Sequence, residues 1–475
     1  MGDNRKIIFK TFHTYKNTYV YDRHTNAVFA VEEGEYQELR KVEKGELAAE
    51  KSPVIRKYQQ QGLFHPNIVT AIRHPQTDIL EHNAGKRLSQ LILQVTQQCN
   101  LRCEYCAYSG IYEGNRTHAN KNMDFETAKQ AIDFFLAHST ENAESAIGFY
   151  GGEPLLRFDL IKKCVDYLEA SVEGKKLQYV ITTNGTLLTE DKMSFFVQHD
   201  FSLSISLDGS KEEHDACRKF PNGEGSFDII INNIKKFEEK YPEYVKKHVR
   251  FMTTVNPYMN LGCVLEYFKT SDVINDTKIT YNGMSESNLK EETHYQESYY
   301  MIRRFEYMKT LLMLIGKLEE QYVSRLMSST VDNAIRKKKS LHQKKEIGYV
   351  EHHGGPCQPG VMRLFVNVAG NFYPCEKTSE EIEFYRIGSL KEGFLIDKME
   401  ALLNIGQWTE QECIDCWNLR HCLICANQIE LNESGKLCRE CKLKKCADSK
   451  DRTEFELYEQ CVLKEFGYEL DVEVM

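Results

Sequence analysis

The sequence has no apolar stretch long enough to cross a bilayer, and no signal-like apolar core follows its first residues, Met1-Gly-Asp-Asn-Arg-Lys6. These absences predict a cytoplasmic protein with no membrane partner. A basic excess is also missing: the formal net charge is −9 and the pI about 6.0. That argues against nucleic acid or anionic lipid as a general partner. The one basic run, Arg336-Lys-Lys-Lys339, reads as a solvated helix face. What remains is ordinary for a globular protein, 28% charged and 41% hydrophobic. At 475 residues the chain is too long for one core, and two or three domains are expected.

Cysteine is the abundant exception, with 16 residues. In a reducing compartment thiols serve as metal ligands or catalysts more often than as disulfides. Cys164, Cys217 and Cys263 stand alone among residues such as Ile161, Val165 and Leu265, and read as buried, inert thiols. Ten others lie between Cys357 and Cys461. The remaining three, Cys99, Cys103 and Cys106, form a C-x3-C-x2-C run just after the apolar segment Leu91-Ile-Leu-Gln-Val95. A four-iron cubane takes one thiolate per iron, so three cysteines leave one iron open. Structural zinc takes four ligands, commonly as C-x2-C pairs. No fourth Cys or His is close by, His118 lying twelve residues on, so the spacing favours iron–sulfur over zinc.

The chain divides by pattern. Residues 1–64 form a winged-helix-like unit, with strands at Lys6–Phe12, Thr18–Tyr21 and Ala27–Val31 and helices at Glu33–Val42 and Pro53–Gln61, the last stopped by Gly62. Residues 65–87, with Pro66 and Pro75, read as a linker. Over residues 88–284 strands predicted at 89–95, 146–150, 177–183, 201–207, 248–255 and 275–281 alternate with helical patterns such as Phe125–Phe135, for which Asp124 is the N-cap. Such βα repetition implies a parallel sheet, either a partial barrel or doubly wound, with ligands at the C-terminal strand ends. Residues 285–355 are a charged helical bridge, and 356–447 are too rich in Cys and turn residues to fold without metal. Residues 448–475 form a C-terminal helix and tail in which Cys461 is not a ligand.

Polar segments sit where these strands end. Tyr150-Gly-Gly-Glu-Pro154 follows the second strand, and its Gly151, Gly152 and Glu153 expose backbone carbonyls that accept from an ammonium group. Thr182-Thr-Asn-Gly185, with Asn184, follows the third, and Ser204-Ile-Ser-Leu-Asp-Gly209, with Ser206 and Asp208, the fourth. Their hydroxyl, amide and carboxylate tips suit a ribose and a carboxylate, and Arg218 is placed to neutralise the latter.

The cysteine run with Tyr105 before its last Cys, followed by Gly-Gly-Glu-Pro, Thr-Asn-Gly and Ser-Leu-Asp-Gly, resembles the radical S-adenosylmethionine (SAM) superfamily. The resemblance implies a partial (β/α)6 TIM-like barrel. It implies SAM chelated at the open iron and cleaved by one electron to methionine and a 5′-deoxyadenosyl radical, with Tyr105 among the residues around SAM.

The later cysteines, Cys357, Cys375, then Cys413-x2-Cys416-x5-Cys422-x2-Cys425 and Cys438, resemble the SPASM extension of peptide-modifying radical SAM enzymes. By that resemblance Cys357, Cys375 and Cys425 hold an inner four-iron cluster, and Cys413, Cys416, Cys422 and Cys438 an outer one, for three clusters in all. The family's last pair is spaced by three residues, not two as between Cys422 and Cys425. The inner cluster also lacks a fourth ligand: Cys441 or Cys446 supplies it, or that iron is open to a substrate thiolate.

The first 64 residues resemble the peptide-recognition element of ribosomal peptide maturases, which binds a leader peptide as an added strand. A dimerisation module is the rival. The combined expectation is an enzyme that installs thioether cross-links in a Cys-rich, ribosomally made precursor peptide, as in sactipeptide or ranthipeptide maturation, fed electrons by flavodoxin or ferredoxin. Alternatives are carbon–carbon or carbon–oxygen cross-linking, sulfatase-type protein maturation, or a non-catalytic zinc scaffold that binds peptides. No general base is assigned; His352 and His353 are nearby candidates.

Overall fold

The structure, a computed structural model, describes residues 6–172, 174–274, 277–342 and 346–468. An antiparallel meander opens it, β1 (Phe9–His13), β2 (Thr18–Asp22) and β3 (Ala27–Val31) in that spatial order. Alternation along the strands gives the sheet two apolar faces. Phe9 and Val20 pack on helices α1 (Glu33–Glu43) and α2 (Pro53–Gln59) with Leu39, Ile55 and Phe64. A reciprocal Glu32/Glu35 capping box starts α1, and Ser52 Oγ accepts from Ile55 N at 3.0 Å to start α2. Phe12, Tyr19 and Tyr21, on the opposite face, pack on Leu457 and Cys461 near the chain's C-terminal end. Burial in that contact explains why Cys461 is in the pattern but free of the other cysteines.

The expected linker is structured. It holds β4 (Ala71–Ile72) and helix α3 (Leu80–Lys86), and β4 pairs in parallel with a later strand, β11 (Val350–Glu351). The barrel strands follow as β5 (Gln90–Thr96), β6 (Glu144–Gly151), β7 (Lys176–Thr183), β8 (Ser202–Ser206), β9 (Val249–Val255) and β10 (Lys278–Gly283), each parallel to the next. Between them run α4 (Phe125–Ala137), α5 (Phe158–Ser171), α6 (Glu190–Gln198), α7 (Lys211–Cys217), α8 (Phe227–Lys240), α9 (Pro242–His248) and α10 (Leu261–Thr270). Asp124 caps α4 through Thr127 N at 2.7 Å. The predicted start of the sixth strand, 275–276, lies outside the described residues.

The cysteine-rich region is not a separate layer. After α11 (Glu297–Leu314) and α12 (Ser328–His342), β12 (Leu364–Val366) adds in parallel to β5. Antiparallel β13 (Asn371–Tyr373), β14 (Gly388–Ser389) and β15 (Gly393–Phe394) extend the same sheet to ten strands, ordered β10-β9-β8-β7-β6-β5-β12-β13-β14-β15. β12 stops at Val366 because Asn367 Oδ1 accepts from Ala369 N and Asn371 N, both at 3.0 Å, which turns the chain. Helices α13 (Ile396–Leu403), α14 (Glu410–Ile414) and the 27-residue α15 (Arg439–Glu465) complete the fold. The basic run on α12 is not wholly solvated: Lys337 is buried and pairs with Glu456 of α15 at 3.1 Å. Among the described residues no helix is long and apolar enough to cross a membrane.

Candidate functional site

The loop after β5 carries Cys99, Cys103 and Cys106, and main-chain contacts clasp it. Gly152 N donates to Thr96 O at 2.9 Å and Glu153 N to Gln98 O at 2.8 Å. The approach is close enough that a Cβ on Gly152 would lie 1.9 Å from Gln98 O, and one on Gly151 2.1 Å from Thr96 O. These glycines are therefore required by backbone contact, a reason beyond the carbonyl exposure expected from sequence.

Each cysteine sulfur meets an N–H donor. Leu101 N and Asn184 Nδ2 reach Cys99 at 3.4 and 3.9 Å, Arg218 Nη1 reaches Cys103 at 3.9 Å, and Tyr108 N reaches Cys106 at 3.4 Å. Burial pushes the free thiols of Cys99 and Cys103 up, to about 12 and about 11. Binding of an iron–sulfur cluster would thus release protons. The donors fit such a cluster, since they compensate thiolate charge.

Two buried carboxylates order the surrounding strand ends. Glu153 accepts from Thr183 Oγ1 (2.7 Å), Asn184 N (2.7 Å) and Leu155 N (3.0 Å), while burial pushes its carboxyl up. Asp208 accepts from Tyr105 OH, from Arg218 Nε at 2.6 Å and from Thr254 N at 2.9 Å. Arg218 is thus already paired with Asp208, and a ligand carboxylate would have to share it. Behind it, Asp208 N donates to His214 Nδ1 (3.2 Å), which leaves His214 Nε2 to donate to Ser226 Oγ (3.0 Å). Ser206, at the end of β8, is half-buried.

The C-terminal extension closes one side. Glu380 accepts from Arg116 Nε (2.6 Å), Gln94 Nε2 and Asn367 Nδ2 (3.0 Å), and the Arg116 guanidinium lies 3.6 Å over the Tyr108 ring. Glu376 was missed by sequence reasoning. It pairs with Arg363 at 3.0 Å through Oε1, whereas Oε2 is sealed from solvent with no hydrogen-bond partner. The signal was its place directly after Cys375. His352 and His353 lie elsewhere and are buried, His353 on a wall shared with the outer cysteines and His352 accepting from Gly406 N at 2.9 Å.

Cys425 is within electrostatic reach of both Cys357 and Cys375, so the inner three come together. The outer arrangement differs from expectation. A cavity of about 400 Å³ is lined by Cys413, Cys416, Cys422 and Cys446. Cys438 is not on its wall: it caps α15, and its sulfur lies against that of Cys441. Among the described residues no three His, Cys, Asp or Glu gather tightly enough for a single metal ion. A cubane holds its thiolates further apart than one ion does, and the cavity has room for it.

Residues 93–270 match the family described as the Radical SAM superfamily, which marks that segment as a radical SAM enzyme domain. The match over that segment implies SAM and an iron–sulfur cluster. A cysteine-type anaerobic sulfatase-maturating enzyme of Clostridium perfringens is 25% identical over 384 residues, covering 79% of this chain and 93% of that one. An uncharacterized protein of Methanocaldococcus jannaschii is 43% identical over 139 residues, 29% of this chain and 45% of the relative. Against this and two further curated relatives, the match spans half of the relative's length or less. A solved structure, native anSMEcpe with bound AdoMet, shares the fold at TM-score 0.57 and 22% identity, covering 80% of this chain and 98% of that one.

Proposed function

We propose that the enzyme uses SAM to remove a hydrogen atom from a peptide or protein side chain and oxidises the resulting radical, its electron passing to an iron–sulfur cluster of the cysteine-rich region, as a protein maturase does. The observation that carries this reading is the continuous sheet: β12 lies on β5 and β13 on β12, and Glu376, three residues past β13, is within electrostatic reach of Tyr108 and Tyr150, which are themselves within reach of Cys106. Bound at the cluster of Cys99, Cys103 and Cys106, SAM would supply the 5′-deoxyadenosyl radical. The chain's own residues do the rest. Glu153 and Asp208 fix the strand-end loops, Arg218 and Asn184 face the cluster sulfurs, and Glu376 Oε2 is free to accept a proton from a substrate thiol or hydroxyl.

Cysteine-type anaerobic sulfatase-maturating relatives that align over most of this chain favour oxidation of a Cys side chain. Thioether formation is the second reading, favoured by the amino-terminal meander, whose β3 is a sheet edge where a leader peptide would add as a strand. In that case the inner cluster of Cys357, Cys375 and Cys425 would take a substrate thiolate at its remaining iron. The outer cluster would use Cys413, Cys416, Cys422 and Cys446, and a flavodoxin or ferredoxin would supply electrons.

The test is anaerobic reconstitution followed by turnover of Cys- and Ser-containing peptides with SAM and a reductant. Oxidation gives a carbonyl that reacts with a hydrazine, whereas a thioether loses two hydrogens and the free thiol, with sulfur retained. A colourless, zinc-loaded protein that leaves SAM intact would overturn both readings.

A further inference from the structure

We propose that His353 and Lys442 are built-in hydrogen-bond donors to the sulfur atoms of a four-iron cluster held by Cys413, Cys416, Cys422 and Cys446, and that they raise its reduction potential. The inference rests on the outer-cluster reading given above.

Lys442 is 1% exposed, and its Nζ donates to Thr409 Oγ1 and lies 3.9 Å from Cys413 Sγ. No carboxylate pairs with it among the described residues, although a buried ammonium without a counter-charge is costly. His353 is also 1% exposed. Gly355 N donates to its Nδ1 at 3.4 Å, so the neutral ring carries its proton on Nε2. That Nε2 is sealed from solvent and has no acceptor. Both side chains line the same cavity as the four cysteines.

A cation and an N–H donor, each lacking a full partner, thus meet in a space bounded by four thiols. A thiolate-bound cubane resolves both deficits, because it is anionic and its sulfurs accept hydrogen bonds. Reduction makes it more negative, so positive charge and N–H donors stabilise the reduced form most. A single zinc ion would answer the charge of Lys442, but it would present no inorganic sulfide to either donor. Lys442 and His353 are positioning residues in this account: they act through the cluster and touch no substrate.

The test is a potentiometric titration of the anaerobically reconstituted full-length protein, followed by electron paramagnetic resonance. The outer cluster's signal is identified by its loss in Cys446→Ser. In Lys442→Met and in His353→Leu the iron content should hold, while the reduced-to-oxidised ratio of that cluster at fixed potential falls at least tenfold, about 59 mV for one electron. Lys442→Arg and His353→Gln, which keep a donor, should return toward wild type. If Cys446→Ser keeps all its iron and its spectrum, the cluster reading itself fails. If Cys446→Ser loses the signal but neither donor variant moves the midpoint, this inference fails and the cluster reading stands. Should Lys442→Met not take up iron, the midpoint of His353→Leu decides.

Discussion

Replacing Gly152 with alanine puts one methyl group where there is no space for it. The new Cβ would stand 1.9 Å from Gln98 O, 2.4 Å from Gln98 C and 2.9 Å from Cys99 N, all main-chain atoms that cannot rotate away. Either the Gly151–Pro154 turn lifts off or the cysteine loop moves. Both movements break Gly152 N to Thr96 O and Glu153 N to Gln98 O. Overpacking costs about 1–3 kcal/mol, and two main-chain hydrogen bonds add about 1 kcal/mol each, so about 3–5 kcal/mol is expected in total. Native domains have only about 5–15 kcal/mol to lose.

The assay pairs urea unfolding with iron content after reconstitution. Gly152→Ala should unfold at clearly lower urea and load the Cys99–Cys106 cluster incompletely. Gly34→Ala is the control: it lies in α1 with nothing within 4 Å of the added Cβ, and should be neutral or stabilising by up to about 1 kcal/mol. Full cluster content and an unchanged midpoint in Gly152→Ala would refute the close-contact account.

Glu376→Gln should retain all its iron and still cleave SAM, yet lose about 10²-fold or more in product formation if Oε2 takes the substrate proton; unchanged turnover removes that role. His214 is buried and neutral, its pKa held down to about 3 by burial, whereas the unfolded chain protonates near 6.5. Its contribution is therefore complete above about pH 6.5 and falls by about 1.4 kcal/mol per pH unit below it. Urea titrations at stepped pH should show His214→Gln losing that slope relative to wild type, and parallel curves would count against it. Arg23, 2% exposed, donates to Ile414 O at 2.6 Å and Cys416 O at 3.2 Å. Arg23→Leu removes one donor from each carbonyl at about 1 kcal/mol per bond, Ile414 O keeping Asn67 Nδ2 at 3.1 Å and Cys416 O keeping Leu419 N at 3.3 Å. It should lower the iron bound by the outer set and leave the Cys99–Cys106 cluster loaded; retention of the outer iron would show that the loop stands without it.

The barrel was legible because its signals are local. Alternating or continuous apolar runs mark β5 to β9 to within a few residues, and the short motifs at their ends follow from parallel topology. The continuity of the sheet was not legible, because β12 has only three residues and its partner β5 lies far back in sequence. Parallel pairing of so short a strand leaves no period to detect. Cysteine spacing grouped Cys413, Cys416 and Cys422 with Cys438, whereas the cavity wall carries the first three with Cys446. The N-cap role of Cys438 turns it toward Cys441, while one further turn along α15 carries Cys446 to the cavity. Glu376 and Lys442 escaped notice because a charged residue in sequence looks solvated until a fold buries it.

Two of the contacts that hold the amino-terminal module bear on the cysteine-rich region. Glu465, at the end of α15, accepts from Thr14 Oγ1, Asn17 Nδ2 and Tyr19 OH at 2.6–2.8 Å. Arg23 and Asn67 bind the main chain between Cys413 and Cys416, Asn67 Nδ2 reaching Ile414 O at 3.1 Å. The helix that Glu465 ends begins beside Lys442 and Cys446 of the outer cavity. A strand added at the edge of β3 would therefore lie on a sheet whose supports reach the outer cavity by two routes, one through the Cys413–Cys416 loop and one along α15. Tilting the meander requires breaking a buried guanidinium's bonds to two carbonyls, so a peptide docked on this module would be mechanically linked to the geometry of the outer cysteines. Glu465→Gln keeps an acceptor for all three donors and should preserve that linkage, whereas Arg23→Leu cuts one route. Hydrogen exchange at residues 413–416, with and without bound peptide, separates the two: protection gained on binding in Glu465→Gln but absent in Arg23→Leu assigns the coupling to the Arg23 contact.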